Sequence, residues 1–204
     1  MGGRTEWAGN MKAILELFRE KRRIALLTVG VSAVLTLVLT FGVIGGEKYL
    51  SSDGFCLSCH SMSYNAEELR ASSHYGALGV NPDCQACHLP PNFLLRVESH
   101  VVDGARALIG ELRHDLGTKE NFDKYRAEYA HNARINIKKW DSAPCRACHK
   151  DPRPSSDEAA LEHKKMKTEG RTCIDCHQNL VHEKVPQEDL DQGMAQGRVV
   201  LMKK

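Results

Sequence analysis

Read for polarity alone, the chain changes character sharply once. Residues 24–44, IALLTVGVSAVLTLVLTFGVI, carry no charge over 21 residues, close to the ~20 that cross a bilayer as a helix. The apolar core of a cleaved secretory signal is shorter, roughly 7 to 15 residues. Only Gly45 and Gly46 could serve as small residues at a cleavage point. The expectation is therefore a retained signal anchor over 24–46. In the preceding segment, 1–23, Met11, Ile14, Leu15 and Phe18 fall at helical spacing, so it either lies along the inner membrane surface or simply extends the spanning helix. Beyond the anchor no stretch alternates apolar and polar residues long enough to suggest a sheet. Residues 105–116 and 119–139, within a helical linker 104–140, read as helices separated by Gly117, with Thr118 as N-cap. Phe122, Tyr125, Tyr129, Ala133, Ile137 and Trp140 recur every three or four residues there and form a core stripe. DPRPSS at 151–156 reads as a turn-rich loop, and residues 187–204 as a polar tail free to move or to touch a partner.

Charge adds orientation. Lys plus Arg number 28 against 26 for Asp plus Glu, a net +2 that gives no general pull toward nucleic acid. Around the span the balance is lopsided: Arg4, Lys12, Arg19, Lys21, Arg22 and Arg23 precede it, and only Lys48 follows closely. The N-terminus is thus expected to stay cytoplasmic, with residues 47–186 in the periplasm of a bacterial inner-membrane, single-pass protein. Aromatic content is low, 6%, so a core made of protein alone would be thin.

All eight cysteines fall in four copies of one pentapeptide: CLSCH (Cys56, Cys59, His60), CQACH (Cys84, Cys87, His88), CRACH (Cys145, Cys148, His149) and CIDCH (Cys173, Cys176, His177). At these residue frequencies chance predicts roughly 0.02 such pentapeptides. Two thiols at this spacing add to the vinyl groups of one haem, and the histidine that follows binds the iron from one face. A four-thiolate zinc site or a disulfide framework would leave the four histidines unexplained. The expectation is four covalent c-type haems and a mainly α fold: one N-terminal transmembrane helix plus a small exported domain of helices and loops wrapped around them.

The spacing carries a second regularity. Cys56 to Cys84 and Cys145 to Cys173 are both 28 residues, so a shift of 89 superimposes the motifs and takes His74 onto His163. Two duplicated di-haem units, 56–88 and 145–177, are implied. Of the six histidines outside the motifs only these two obey the repeat, and each reads as the second axial ligand of an iron. His182, in CIDCHQNLVH, is a third candidate; His100, His114 and His131 read as surface or supporting residues. Met62 breaks the repeat, since its counterpart is Asp151. A thioether is thus on offer at the first haem, where it would raise the potential relative to a histidine pair.

A single N-terminal anchor, four CxxCH motifs in a domain of about 150 residues, CHSM at the first, CHLPP after the second and CIDCHQNLVH near the end resemble the NapC/NirT (NrfH-type) family of membrane-anchored tetrahaem quinol dehydrogenases. The resemblance runs from about residue 20 to residue 185. It implies a first haem at the membrane surface beside a quinol site, with Met62 as a ligand in place of or beside His60. It also implies an aspartate near that haem's open face, Asp103 by position. Family members often carry a lysine one or two helical turns before that aspartate; here the nearby basic residues are Arg96 and His100. The residues themselves make a similar case. Quinol oxidation releases two electrons and two protons, and a partly shielded carboxylate such as Asp103 suits the proton acceptor.

The function expected is oxidation of menaquinol or ubiquinol and delivery of electrons to a periplasmic nitrite, nitrate or similar reductase. Reverse flow into the quinone pool, or a haem enzyme acting directly on a small nitrogen or sulfur compound, are the alternatives. The partners expected are the quinol pool, the bilayer and the periplasmic redox protein, with homodimer formation left open.

Overall fold

The computed structural model describes residues 3–196. The chain divides into two compact units, Met1–Gly46 and Glu47–Lys204. Every regular element among the described residues is helical.

Helix α1, Gly3–Leu50, runs unbroken for 48 residues. Within it Glu16–Leu50 is long and apolar enough to cross a membrane, and none of its most apolar window is buried. The segment ahead of the apolar run is thus a continuation of the same helix. The side chains of Met11, Ile14 and Leu15 lie outside the described residues.

In the second unit, four short helices carry the cysteine motifs: α2 (Asp53–Cys56), α4 (Cys84–His88), α7 (Ala143–Cys148) and α9 (Cys173–Cys176). Longer helices connect them: α3 (Met62–Ala71), α5 (Phe93–Arg113), α6 (Lys119–Lys139) and α8 (Asp157–Thr168), with α10 (Leu190–Ala195) near the end. Helix α6 begins where the polarity pattern puts it, and Thr118 Oγ1 accepts from Asn121 N at 3.3 Å as the cap. Helix α5 starts twelve residues earlier than the pattern suggests, at Phe93 rather than 105. Its start is set by Asn92, whose Oδ1 accepts from the amides of Leu94 and Leu95, just after Pro90 and Pro91. That is a proline stop followed by an Asn cap.

The stripe on α6 forms an aromatic seam. Phe122 is buried, its ring 5.7 Å from Tyr64 and 6.2 Å from Tyr129, while Tyr125 stacks on His114 at 3.9 Å. The C-terminal half of α6 builds an apolar cluster: Ile135, Ile174 and Leu190, with Ile137 packed against it. Leu190 belongs to the segment whose polarity suggests a mobile tail. One leucine in that cluster, with Lys138 paired to Asp191 at 2.8 Å and Gln178 bonded to both amide and carbonyl of Glu188, docks it as α10 on α6. Gly193 lies so close to His131 that a Cβ there would come within 2.7 Å of the ring. Residues 197–204 of the tail lie outside the described residues.

Candidate functional site

Three of the four motif helices pack in succession, α2 on α4 and α4 on α7, and the fourth, α9, packs on α6. The duplication is visible in how neighbouring motifs are joined. Asp53, three residues before Cys56, accepts through Oδ1 from Cys84 N at 2.9 Å. Ser142, three residues before Cys145, accepts through Oγ from Ile174 N at 3.1 Å. Positions 53 and 142 are 89 apart, the repeat distance, and each satisfies an amide at the N-terminus of the next motif helix, where such groups lack a partner within the helix. All eight cysteines are free of disulfides, and among the described residues no three His, Cys, Asp or Glu side chains gather as a metal cage.

Three of the four motif histidines face a second histidine. The ring centres of His88 and His182 are 5.9 Å apart, those of His163 and His177 6.1 Å, and those of His74 and His149 6.5 Å. A metal–imidazole bond is about 2.0 Å and a ring nitrogen sits about 1.1 Å from its ring centre, so two imidazoles on opposite sides of one iron have centres about 6.2 Å apart. The three separations fit a bis-imidazole haem. His60, the fourth, has no such neighbour: its ring meets Tyr64 edge-on at 5.7 Å, and Met62 opens α3 with its sulfur 4.0 Å from Asn65 Nδ2.

Support for His182 comes from residues that spacing alone did not single out. Glu68 of α3 lies 3.5 Å from His182 Nδ1 and accepts from the Glu183 amide at 3.0 Å. Arg126 of α6 grips that same carboxylate at 2.8 Å. Arg134, buried on α6, donates to Gln178 O, Pro186 O and Asn179 Oδ1, clamping the loop that presents His182. Lys138 and Asp175 form a buried pair at 2.6 Å beside the fourth motif. Burial opposes both charges, yet their hydrogen bond keeps Lys138 above its ordinary pKa and Asp175 below its own.

Of the remaining candidates, Arg96 and His100 are joined and Asp103 is not. Arg96 Nε donates to Glu47 Oε1 at 2.6 Å and Nη1 to Pro91 O at 3.0 Å. Ser51 Oγ donates to the same Glu47 oxygen at 2.9 Å and lies 3.0 Å from His100 Nε2. Because the single Ser51 proton is given to Glu47, His100 must donate from Nε2. Asp103, one turn further along α5, pairs with Arg106 at 3.0 Å. Glu47 and Ser51 went unnoticed in the sequence; their i, i+4 spacing just past the apolar run is the one trace they leave.

Residues 19–188 match the NapC/NirT cytochrome c family, N-terminal region, and the chain belongs to that family. It is a tetrahaem electron-transfer cytochrome with covalently bound haem c. Similar proteins include a tetraheme cytochrome c-type protein of Nitrosomonas europaea, 56% identical over 177 residues that cover 85% of this chain and 76% of that one. NapC of Haemophilus influenzae is 31% identical over 178 residues, 85% and 88% of the two chains. TorC of Escherichia coli is 33% identical over 165 residues, 78% of this chain and 42% of TorC. Among solved structures, a chain of the cytochrome c nitrite reductase NrfHA complex bound to the HQNO inhibitor is 26% identical, with 75% of this chain and 88% of that one covered and a TM-score of 0.42.

Proposed function

We propose that this cytochrome oxidises membrane quinol and passes the electrons, one at a time, to a reductase in the periplasm. Residues 24–44 span the inner membrane, and the unit from Glu47 onward lies outside it. Thioether bonds form at Cys56 and Cys59, Cys84 and Cys87, Cys145 and Cys148, and Cys173 and Cys176. His88 with His182, His149 with His74, and His177 with His163 would hold three of the haems. The first is held by His60 or Met62. When bound, each haem iron accepts and releases a single electron.

The observation that carries the quinol site is the connected set Arg96, Glu47, Ser51 and His100, beginning three residues beyond Ile44. The chain's own part in the reaction is to bind a hydroxyl and remove its proton. Arg96, held by Glu47, orders the entrance of α5. His100 Nε2–H, Ser51 Oγ–H and Glu47 form a directed line of donors along which a proton taken at His100 can move to the carboxylate. Asp103, partly exposed, is the second acceptor, and two acceptors match the two protons released.

The test is reduction of the purified holoprotein by a menaquinol analogue, with dithionite reduction and haem content as controls. Asp103→Asn keeps the shape of the side chain but cannot take a proton, so quinol-driven reduction should fall at least a hundredfold with both controls normal. Normal quinol-driven reduction in Asp103→Asn would remove it from the proton path, and His100→Gln then becomes the deciding variant.

A further inference from the structure

Helix α5 is inside out. Leu94, Val101, Leu108 and Leu112 are 73, 67, 59 and 78% exposed. At 100° per residue they lie within about 40° of one another on the helix surface. Leu95, Val102 and Ile109 flank them on one side and are also exposed. About half a turn away, the side turned to the protein is the polar one: Ser99 and Gly110 are buried, and Arg96 and His100 reach Glu47 and Ser51. A surface helix in water has the opposite arrangement.

We propose that α5 lies flat in the periplasmic leaflet, its outward face in the acyl-chain boundary, as a second contact with the membrane beside the spanning helix. This goes beyond quinol oxidation and rests on the anchor alone. Three observations favour lipid over a protein partner. The contacts that fix α5 are made to Glu47 and Ser51, which follow the last apolar residue of the span by three and seven residues, so the chain that holds α5 has only just left the membrane. The apolar face is about 140° wide, broader than the narrow two-position seam that pairs one helix with another. Arg106, which also pairs with Asp103, stands along its edge, at the position where long basic side chains reach lipid phosphates. Glu98, the one charged residue within the face, is itself exposed and long enough to reach the headgroups.

The experiment uses full-length holoprotein in phosphatidylethanolamine and phosphatidylglycerol vesicles that contain a phospholipid with a photoactivated diazirine high on its acyl chain. After illumination and digestion, mass spectrometry should find the label on residues 24–44 and also on α5, concentrated at Leu94, Val101, Leu108 and Leu112, with α6 clean. The double variant Val101→Glu, Leu108→Glu alters only exposed side chains. It should keep four haems and the label on the span while losing at least tenfold of the label on α5. Label confined to the span in the unaltered protein overturns the inference, and so do crosslinks from α5 to a second copy in place of lipid. Quinol-driven haem reduction, read on the same vesicles, separates the two proposals: intact reduction with α5 unlabelled defeats only this one, and labelled α5 without reduction defeats only the quinol reading.

Discussion

In residues 145–177 the histidine supplied by the repeat, His163, faces the motif histidine of its own half, His177, at 6.1 Å. Its counterpart His74 does not do the same. It faces His149 of the other half at 6.5 Å, and His88 is met instead by His182, which comes from beyond the second half. The two halves therefore share a register and the 53/142 link between neighbouring motifs, but they part at the second axial position. If these pairs hold iron, the second half takes a ligand, His74, from the first, and the first takes His182 from the loop that follows the second. A duplicated unit that kept its ligands to itself could separate from its twin; one that shares them could not.

The largest effect follows from how little else holds the halves. Ala66, Leu116, Phe122, Ile135, Ile174 and Leu190 are the buried apolar side chains described, far too few to offset the ordering of a domain this size. Blocking haem attachment should leave residues 47–186 without a cooperative unfolding transition in circular dichroism. A cooperative transition in the haem-free chain would show that the halves fold independently of their ligands.

Next comes the crossing itself. If both side chains serve the same iron, His74→Ala and His149→Ala should each convert one low-spin haem, and the double variant should also convert one. His74→Ala combined with His88→Ala should convert two. Counting low-spin signals by electron paramagnetic resonance decides it; the opposite counts would return His74 to its own half.

A third pair probes the clamps that only the second half and its following loop possess. Arg134→Ala removes three hydrogen bonds from the loop that presents His182 and should lower stability by on the order of 3 kcal/mol. Lys138→Met leaves Asp175 buried without its partner, at a cost of about 3 kcal/mol. Chemical denaturation of the holoproteins measures both. Arg134→Ala alone should also broaden the low-spin signal of the second haem.

The smallest effect compares the equivalent links. Ser142→Ala strands a buried amide of Ile174 and should cost about 2 kcal/mol, while Asp53→Ala should cost about 1, since water can reach the half-exposed Cys84 amide. Equal losses would show that both links are equally shielded.

The sequence by itself determined what local spacing encodes. Four pentapeptides name the haem sites, a charge-free run of 21 residues names the apolar helix, Thr118 names the start of α6, and a shift of 89 residues names the duplication. Each of these is decided within a few turns of chain or by counting along it. The partner of each histidine was not legible, because His74 obeys the repeat in sequence and departs from it in space: contact across 75 residues depends on how α4 packs on α7, not on register. Nor could polarity reveal the Arg134 clamp, the docked Leu190 or the Glu47 to His100 line, since arginines, glutamates and a lone leucine read as surface until another element covers them. Helix α5 shows the same limit from the other side. Polarity suggested its start twelve residues late, and only the packing of Arg96 and His100 against Glu47 and Ser51 decided which face turns inward, and it is the polar one.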